Sequence, residues 1–207
     1  MMVRVKICGI TTAEDVMACV AAGADALGFN FFPPSPRYLT PQRAKALCMS
    51  VPPFITTVGV FVDRTPEKVC EIMKFCGLDY AQLHGAEPPR AVDKIGPDRV
   101  IKAVRIRSEA DMKELERYRA AAFLLDAYVE DKPGGTGKTF DWGLARLAAS
   151  RARIILAGGL SAENVAAAVR KARPYAVDVA SGVEDEPGGK SRKLVARFVR
   201  AAKSVEL

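Results

Sequence analysis

The chain has 207 residues, of which 49% are hydrophobic and 27% charged, so it can bury a sizeable core and is too apolar to be disordered. Its formal net charge is +7. No apolar run approaches the roughly 18 residues that a membrane span needs, which predicts no membrane insertion. Basic residues recur near helical spacing close to the C-terminus, namely Lys190, Arg192, Lys193, Arg197, Arg200 and Lys203. Phe198 is the one aromatic residue among them, which is too few for a platform on which bases stack, so they favour a solvated helix face and an attraction for anionic metabolites over binding to nucleic acid.

The cysteines and the single histidine limit the metal and redox chemistry. Five cysteines are present and none forms a Cys-x-x-Cys pair, which argues against a disulfide framework and against a zinc site. With His84 as the only histidine and no cluster of carboxylates, we expect no transition-metal site. The first residues lead directly into a strand, without the features of a secretory signal, so we expect a cytoplasmic protein.

Short apolar runs alternate with amphipathic runs about every 25 residues along the whole chain. Strands are predicted at 3–7, 25–29, 54–61, 79–83, 100–104, 122–125, 154–156 and 176–179. Helices are predicted at 12–22, from 41, at 65–77, 91–95, 108–119, from 141, at 161–171 and across the basic C-terminal segment. The boundaries follow local signals, among them Pro41 in a first turn, Thr65 as an N-cap and Gly77 at a helix end.

Eight strand–helix units of this kind predict a parallel sheet, because strands joined through helices run in the same direction. Eight units close into an α/β barrel of the (βα)8 or TIM type. An open, doubly wound sheet is the alternative. No linker or change in composition divides the sequence, so we expect a single domain over residues 1–207.

Barrels of this type carry their active sites at the C-terminal ends of the strands. Side chains alternate along a strand, so the parity of each position predicts which ones face the barrel axis. This alternation places a set of polar side chains at one mouth: Lys6, Cys8, Gln82, His84, Asp126 and Asp178.

Cys8 and His84 each allow a structural and a functional interpretation. An isolated cysteine is usually a small buried apolar group. Cys8, however, ends a strand beside Lys6, and a nearby cation lowers the pKa of a thiol and makes a thiolate available as base or nucleophile. The other four cysteines fall in helical stretches and are interpreted as structural. His84 is interpreted either as structural or as a contact to substrate.

Glycine-rich turns after the last two strands predict a phosphate site. Gly158 and Gly159 follow the seventh strand, and Ser181 and Gly182 follow the eighth, which is where barrels frequently hold phosphate. Simple tight turns are the alternative. Arg37 ends a proline-rich loop, and its guanidinium suits a carboxylate, with a solvated arginine as the alternative.

A second glycine-rich segment, at 134–139, superficially resembles a P-loop. It fails the pattern because Lys132 stands where the first glycine is required. We expect a lid with glycine hinges instead.

The motifs together resemble the phosphoribosylanthranilate isomerase family. They occur in order over nearly the whole chain: Lys6-Ile7-Cys8-Gly9-Ile10-Thr11, Gly28-Phe29, Ser35-Pro36-Arg37, Gln82-Leu83-His84-Gly85, Leu125-Asp126, Gly134-Gly135-Thr136-Gly137, Phe140-Asp141-Trp142, Leu156-Ala157-Gly158-Gly159-Leu160 and Asp178-Val179-Ala180-Ser181-Gly182-Val183-Glu184. A small departure occurs at Gly189-Lys190-Ser191, where Lys-Asp is expected in many members.

The resemblance implies a cofactor-free Amadori rearrangement in tryptophan biosynthesis. Asp126 would be the general acid and Cys8, as thiolate, the general base. Arg37 would hold the anthranilate carboxylate, and the pairs Gly158-Gly159 and Ser181-Gly182 would hold the phosphate.

His84 and Asp178 are placed in the substrate pocket without firm roles. The resemblance implies a small-molecule substrate and leaves the protein a monomer or a homodimer.

Two alternatives are kept open. One is the related barrel isomerase of histidine biosynthesis, which is expected to use two aspartates and two phosphate sites; Cys8 and the one evident phosphate site argue against it. The other is a basic barrel that binds nucleic acid without catalysis, and it would leave Cys8, Asp126 and Arg37 without a joint explanation.

Overall fold

The computed structural model describes residues 2–126 and 142–206, and within them the strands and helices alternate. The eight barrel strands are β1 Arg4–Cys8, β2 Ala26–Asn30, β3 Thr56–Phe61, β4 Tyr80–Leu83, β5 Val100–Val104, β6 Ala122–Asp126, β7 Ile154–Ala157 and β8 Ala176–Val179. The α-helices are α1 Ala13–Ala21, α2 Pro41–Met49, α3 Pro66–Cys76, α4 Pro89–Ile95, α5 Lys113–Glu116, α6 Trp142–Ala149, α7 Val165–Ala172 and α8 Arg192–Lys203.

Strands β1 to β8 form one closed parallel barrel in sequence order, with β1 paired to β8. The predicted TIM barrel is therefore confirmed, and the alternative of an open doubly wound sheet is wrong. Because all neighbouring strands are parallel, the C-terminal ends of all eight meet at one mouth of the barrel, and the helices pack outside the strands.

Two apolar layers flank the barrel wall. The outer layer, between strands and helices, contains Phe123, Leu125, Val177 and Val179. The inner layer fills the barrel axis and consists of Val58, Ile101, Ala122, Leu124, Ile155, Ala157 and Ala176. Alternate residues of β6 and β8 thus point to opposite layers, as their parity predicts.

The helix boundaries follow the predicted capping signals at several positions. The Thr65 hydroxyl accepts a hydrogen bond from the backbone of Lys68 at the start of α3, and Gly77 ends α3 with a φ of 70°. Pro41 begins α2. A positive φ is the left-handed conformation for which glycine is best suited.

The helix predicted at 108–119 is wrong in extent. The segment forms a 3-10 helix, Glu109–Met112, followed by the short α5. Only Met112 and Leu115 are buried here, so the apolar stripe is too short to stabilise a longer helix.

The segment after β8 also differs from the prediction. A 3-10 helix, Ser181–Val183, leads into a small antiparallel hairpin, β9 Glu184–Glu186 and β10 Gly189–Lys190. Lys190, predicted on the last helix, lies in β10, and α8 begins only at Arg192. The hairpin lies on the side of the barrel where the strands end.

Candidate active site

A pocket opens at the C-terminal mouth of the barrel. All nine predicted site residues line it: Cys8, Arg37, His84, Asp126, Gly158, Gly159, Asp178, Ser181 and Gly182. They come from six different strands or the loops that follow them, so the closed barrel is what brings them together. Asn30 and Gln82 also line this pocket.

Cys8 lies beside a buried ion pair between two neighbouring strands. Lys6 of β1 is in register with Asp178 of β8, and its Nζ lies 2.8 Å from the carboxylate Oδ1. The two side chains are only 3% and 9% exposed. A Cβ added to Gly28 on β2 would lie 2.8 Å from the Cys8 Sγ and 3.1 Å from the Lys6 Nζ. Glycine at this position therefore makes room for the thiol and the ammonium side by side.

Burial raises the pKa of the Cys8 thiol, and the positive charge of Lys6 offsets only part of this effect. The nearby carboxylate of Asp178 raises the thiol pKa further. Lys6 thus lowers the thiol pKa, as the sequence predicts, but burial and Asp178 together outweigh it. The sequence shows the cation but neither the full burial of the thiol nor the carboxylate that pairs with the cation.

His84 connects β4 to Asp126 at the end of β6. Its Nε2 lies 3.4 Å from the Asp126 Oδ2, and its Nδ1 lies 3.0 Å from the Gln82 Nε2. The imidazole therefore bridges the Gln82 amide and the Asp126 carboxyl group, and its tautomer sets which group donates in each contact. Histidine and aspartate are each about one third exposed toward the pocket.

A buried lysine fixes the backbone on both sides of His84. Lys102 Nζ donates to the carbonyl oxygens of Leu83 and Gly85, at 3.3 and 2.7 Å, and to the Glu87 carboxylate at 2.8 Å. Lys102 and Glu87 side chains are each 3% exposed. Because Leu83 and Gly85 flank His84, this pair restricts where the imidazole can lie.

Arg37 is held by a carboxylate rather than left free in solvent. Its Nε and Nη2 donate to the two oxygens of Glu184, at 2.7 and 2.6 Å. Lys190 Nζ donates to the same carboxylate at 2.6 Å. Burial alone would raise the pKa of Glu184, but hydrogen bonds from Arg37 and Lys190 outweigh burial and lower it. The carboxylate therefore stays ionised between two cations.

The glycine-rich loops after β7 and β8 lie against each other. Gly158 and Gly159 have φ angles of 85° and 62°, which supports a turn that other residues adopt poorly. A Cβ on Gly182 would collide with the carbonyl oxygen of Leu160 in the neighbouring loop. The backbone of both loops can therefore approach a ligand closely.

The family model for N-(5'-phosphoribosyl)anthranilate (PRA) isomerase matches residues 5–201. The chain belongs to this isomerase family. A relative from Pelobacter propionicus, N-(5'-phosphoribosyl)anthranilate isomerase, is 50% identical over 202 residues, which cover 98% of this chain and 96% of the relative.

Solved structures of the isomerase family agree with the barrel. A phosphoribosyl anthranilate isomerase in complex with reduced 1-(o-carboxyphenylamino)-1-deoxyribulose 5-phosphate has a TM-score of 0.88 and 44% identity, covering 99% of this chain and 100% of that one. A structure of mutually generated monomers of the dimeric isomerase from Thermotoga maritima has a TM-score of 0.87 and 41% identity, with the same coverage.

Sequence reasoning missed several charged residues of this isomerase site. Glu184 ends one of the motifs of the resemblance but receives no role there, and Lys190 is predicted on the basic face of the last helix. Lys102 and Glu87 carry no motif, although a lysine in the middle of an apolar strand is a signal of a buried pair. The predicted lid at 134–139 lies outside the described residues.

The described part of this isomerase contains neither a metal-binding cluster nor a membrane-spanning helix. Within residues 2–126 and 142–206, no group of three or more His, Cys, Asp and Glu side chains could hold a metal ion. The helices in the same ranges include none that is long and apolar enough to span a membrane.

Proposed function

We propose that the protein is a phosphoribosylanthranilate isomerase of tryptophan biosynthesis, acting as one catalytic domain without a cofactor. It converts N-(5-phosphoribosyl)anthranilate into 1-(2-carboxyphenylamino)-1-deoxy-D-ribulose 5-phosphate. The observation that carries this proposal is that Cys8 and Asp126 line one pocket in a chain of this family. The family match supports it over the histidine-pathway isomerase and over a nucleic-acid-binding barrel.

Asp126 is the proposed general acid. It gives a proton to the ring oxygen of the ribose as the C1′–O bond breaks, and the lone pair of the anthranilate nitrogen forms the C=N bond of a Schiff base. His84, 3.4 Å away, is the neighbour that orients the carboxyl group. The sheet fixes the Asp126 backbone at the end of β6, which limits the positions from which its carboxyl group can give a proton.

Cys8 is the proposed general base. Its thiolate removes the proton from C2′, and the electrons of that C–H bond form the enolamine, which tautomerises to the ketone. Since burial raises the thiol pKa, only a fraction of the unliganded protein carries the thiolate at neutral pH. Lys6 increases that fraction, which gives the buried lysine a role in the reaction.

The two ends of the substrate are bound by different parts of the mouth. Arg37 binds the anthranilate carboxylate, because a guanidinium can offer two parallel N–H donors to a carboxylate. The loops with Gly158 and Gly182 bind the phosphate through their backbone N–H groups. Holding both ends places C1′ and C2′ between acid and base.

Turnover of substrate made in situ, followed by the loss of anthranilate fluorescence, tests this proposal. Cys8→Ala or Asp126→Asn should lower kcat by about two to four decades, the scale of a positioned acid or base. Cys70→Ala is the matched control, because Cys70 is an exposed cysteine. If Cys8→Ala forms the product completely and at the wild-type rate, the thiol is not the base.

We further propose that the protein forms a homodimer through the amino-terminal face of the barrel and acts in the reducing cytoplasm. Phe54, just before β3, is fully exposed and has a φ of 72°, an unfavourable conformation for a bulky residue. A cavity lined by Thr56, Tyr80 and Ile101 opens on the same face. An exposed aromatic beside a partly apolar cavity favours a self-complementary interface. All five cysteines are free, which supports a reducing compartment.

Sedimentation velocity tests the dimer. Phe54→Glu should convert the dimer into monomers of unchanged fold. Phe75→Glu is the matched control, because Phe75 is also an exposed aromatic but lies on α3, against the Lys45 ammonium. A wild-type protein that sediments as a monomer at every concentration would rule out the homodimer and leave the catalytic proposal intact.

A further inference from the structure

Glu184 lies at the centre of a charged cluster that the reaction steps above do not use. Its side chain is 4% exposed and lies between Arg37, 20% exposed, and Lys190, which is fully buried. We infer that Glu184 is a positioning residue, which orients Arg37 so that the pocket selects substrates carrying a carboxylate on the aromatic ring. This inference rests on the proposed function and extends it to the specificity of the same site.

The pairing leaves one edge of the guanidinium available to a ligand. An arginine side chain has five N–H donors in a plane, with one pair on the Nε–Nη2 edge and another on the Nη1–Nη2 edge. Glu184 occupies the Nε–Nη2 edge with two short hydrogen bonds. The Nη1–Nη2 edge can then bind a second carboxylate in the same bidentate geometry. Arg37 lines the substrate pocket, so this second carboxylate can come from the substrate.

The side chain of Arg37 is also confined from the other side. A Cβ added to Gly9 would collide with the Cδ of Arg37, so the arginine lies directly across the backbone after β1. With Gly9 on one side and Glu184 on the other, the guanidinium plane is fixed before a ligand binds. A donor group that is already oriented loses less conformational entropy on binding, which increases affinity.

Glu184 is itself held by the hairpin that carries it. Lys190 Nζ donates to Glu184 and to the carbonyl oxygen of Ala180, which precedes the Ser181–Val183 turn. The backbone N–H of Lys190 donates to Asp15 at the start of α1, and the Thr11 hydroxyl donates to the carbonyl of Gly188. The hairpin is therefore fastened to the loop after β1 as well as to the loop after β8.

The cluster carries a net positive charge, as a site for a carboxylate needs. Two cations and one carboxylate leave a net positive charge, and the Lys190 charge is turned away from solvent by its complete burial. The positive charge that faces the pocket is the free edge of Arg37. A ring carboxylate placed there gains a charged pair, whereas a ligand without one leaves that edge unpaired.

The test compares two ligands that differ only in the ring carboxylate. These are reduced 1-(2-carboxyphenylamino)-1-deoxyribulose 5-phosphate and the corresponding compound made from aniline. Titration calorimetry with wild type and Glu184→Gln gives the ratio of the two affinities. We expect Glu184→Gln to weaken the carboxylate ligand about tenfold or more, the scale of a charged hydrogen bond, and to leave the aniline ligand within about twofold. KM for the substrate should rise more than kcat falls.

Three outcomes would overturn the inference. Equal weakening of both ligands would show that Glu184 only maintains the fold of the mouth. Tighter binding of the carboxylate ligand would show that Glu184 competes with substrate for Arg37. If Glu184→Gln lowers selectivity as much in the Arg37→Ala protein as it does in wild type, Glu184 does not act through the arginine.

Two further variants keep the test independent of folding and of the proposed reaction. Glu184→Gln leaves the Lys190 charge buried without a carboxylate, so Glu184→Gln with Lys190→Met supplies a second protein without that unpaired charge. It should show the same selective loss. If wild type shows no turnover, the proposed function fails. If both variants keep the wild-type ratio of the two affinities, this inference fails.

Discussion

Lys6→Met tests whether the buried ammonium controls the proposed base. Lys6 Nζ and Cys8 Sγ both lie close to one point beside Gly28, at 3.1 and 2.8 Å, so they are at most about 6 Å apart. Two unit charges at about 6 Å with an effective dielectric constant of about 20 interact by about 2.8 kcal/mol, which is about a hundredfold in an equilibrium constant. Lys6 lowers the thiol pKa, so removing the ammonium should raise it.

The sign of the effect on activity follows from the protonation state that the base needs. Below the thiol pKa, each unit of increase lowers the thiolate fraction about tenfold. If the thiolate is the base, kcat/KM of Lys6→Met near neutral pH should fall about a hundredfold and recover as the pH rises. The assay is the rate of Cys8 alkylation by iodoacetamide against pH, measured by mass spectrometry of the Cys8 peptide, beside the pH profile of kcat/KM.

A second variant separates this electrostatic effect from damage to the fold. Lys6→Met leaves the Asp178 carboxylate buried and unpaired, whereas Lys6→Met with Asp178→Asn removes both charges. The double variant should show a smaller increase in the thiol pKa, since Asp178 acts against Lys6. An alkylation profile that stays in place, or moves to lower pH, in a folded Lys6→Met protein would refute the reasoning.

Three further predictions concern packing and charge. Gly28→Ala places a methyl group 2.8 Å from the Cys8 Sγ. We expect turnover to fall at least about tenfold and the free energy of unfolding in urea to fall by about 1–3 kcal/mol. An unchanged kcat would contradict the tight packing. Lys102→Met leaves the Glu87 charge buried without its cation, so it should lower the free energy of unfolding in urea by about 3–5 kcal/mol. Lys68→Met, which removes one partner of an exposed pair, should change that free energy by less than about 1 kcal/mol. Because the pKa of Glu184 is lowered in the folded protein, its contribution to stability is complete above its ordinary value of 4.5 and is lost as the pH falls below that value. Wild type should therefore lose more stability than Glu184→Gln on acidification, and parallel pH profiles would contradict this.

The barrel could be predicted from the sequence because its evidence is repeated eight times. Each strand–helix unit shows the same alternation, and closure follows from their number. The side-chain parity of a strand is fixed by backbone geometry, so the inward position of Lys6, Cys8 and Asp126 was also accessible. Glycine, proline and threonine at helix ends act locally, which is why α2 and α3 begin where predicted.

Ion pairs between distant segments could not be predicted in the same way. Arg37 and Glu184 are separated by 147 positions, and Lys6 and Asp178 by 172. Nothing in the local pattern of Glu184-Asp185-Glu186 distinguishes the buried carboxylate from its two exposed neighbours. The hairpin that buries it forms through contacts with the loop after β1, so the role of Glu184 becomes visible only in the folded barrel.

The thiol pKa shows the same difference between local and long-range information. The cation beside Cys8 is evident from the spacing in Lys6-Ile7-Cys8. The magnitude of burial and the presence of Asp178 depend on strand closure between β1 and β8. The sequence therefore shows the group that lowers the thiol pKa, whereas the burial and the carboxylate that raise it depend on distant parts of the chain.

The central claim is that this chain isomerises phosphoribosylanthranilate with Cys8 as the base. Its most direct test is anthranilate-fluorescence turnover with substrate generated in situ, in buffer with chelator, for wild type beside Cys8→Ser. We predict steady loss of fluorescence with wild type and a rate lower by about two to four decades with the variant. Absence of turnover in folded wild type, or equal rates in the two proteins, would contradict the account.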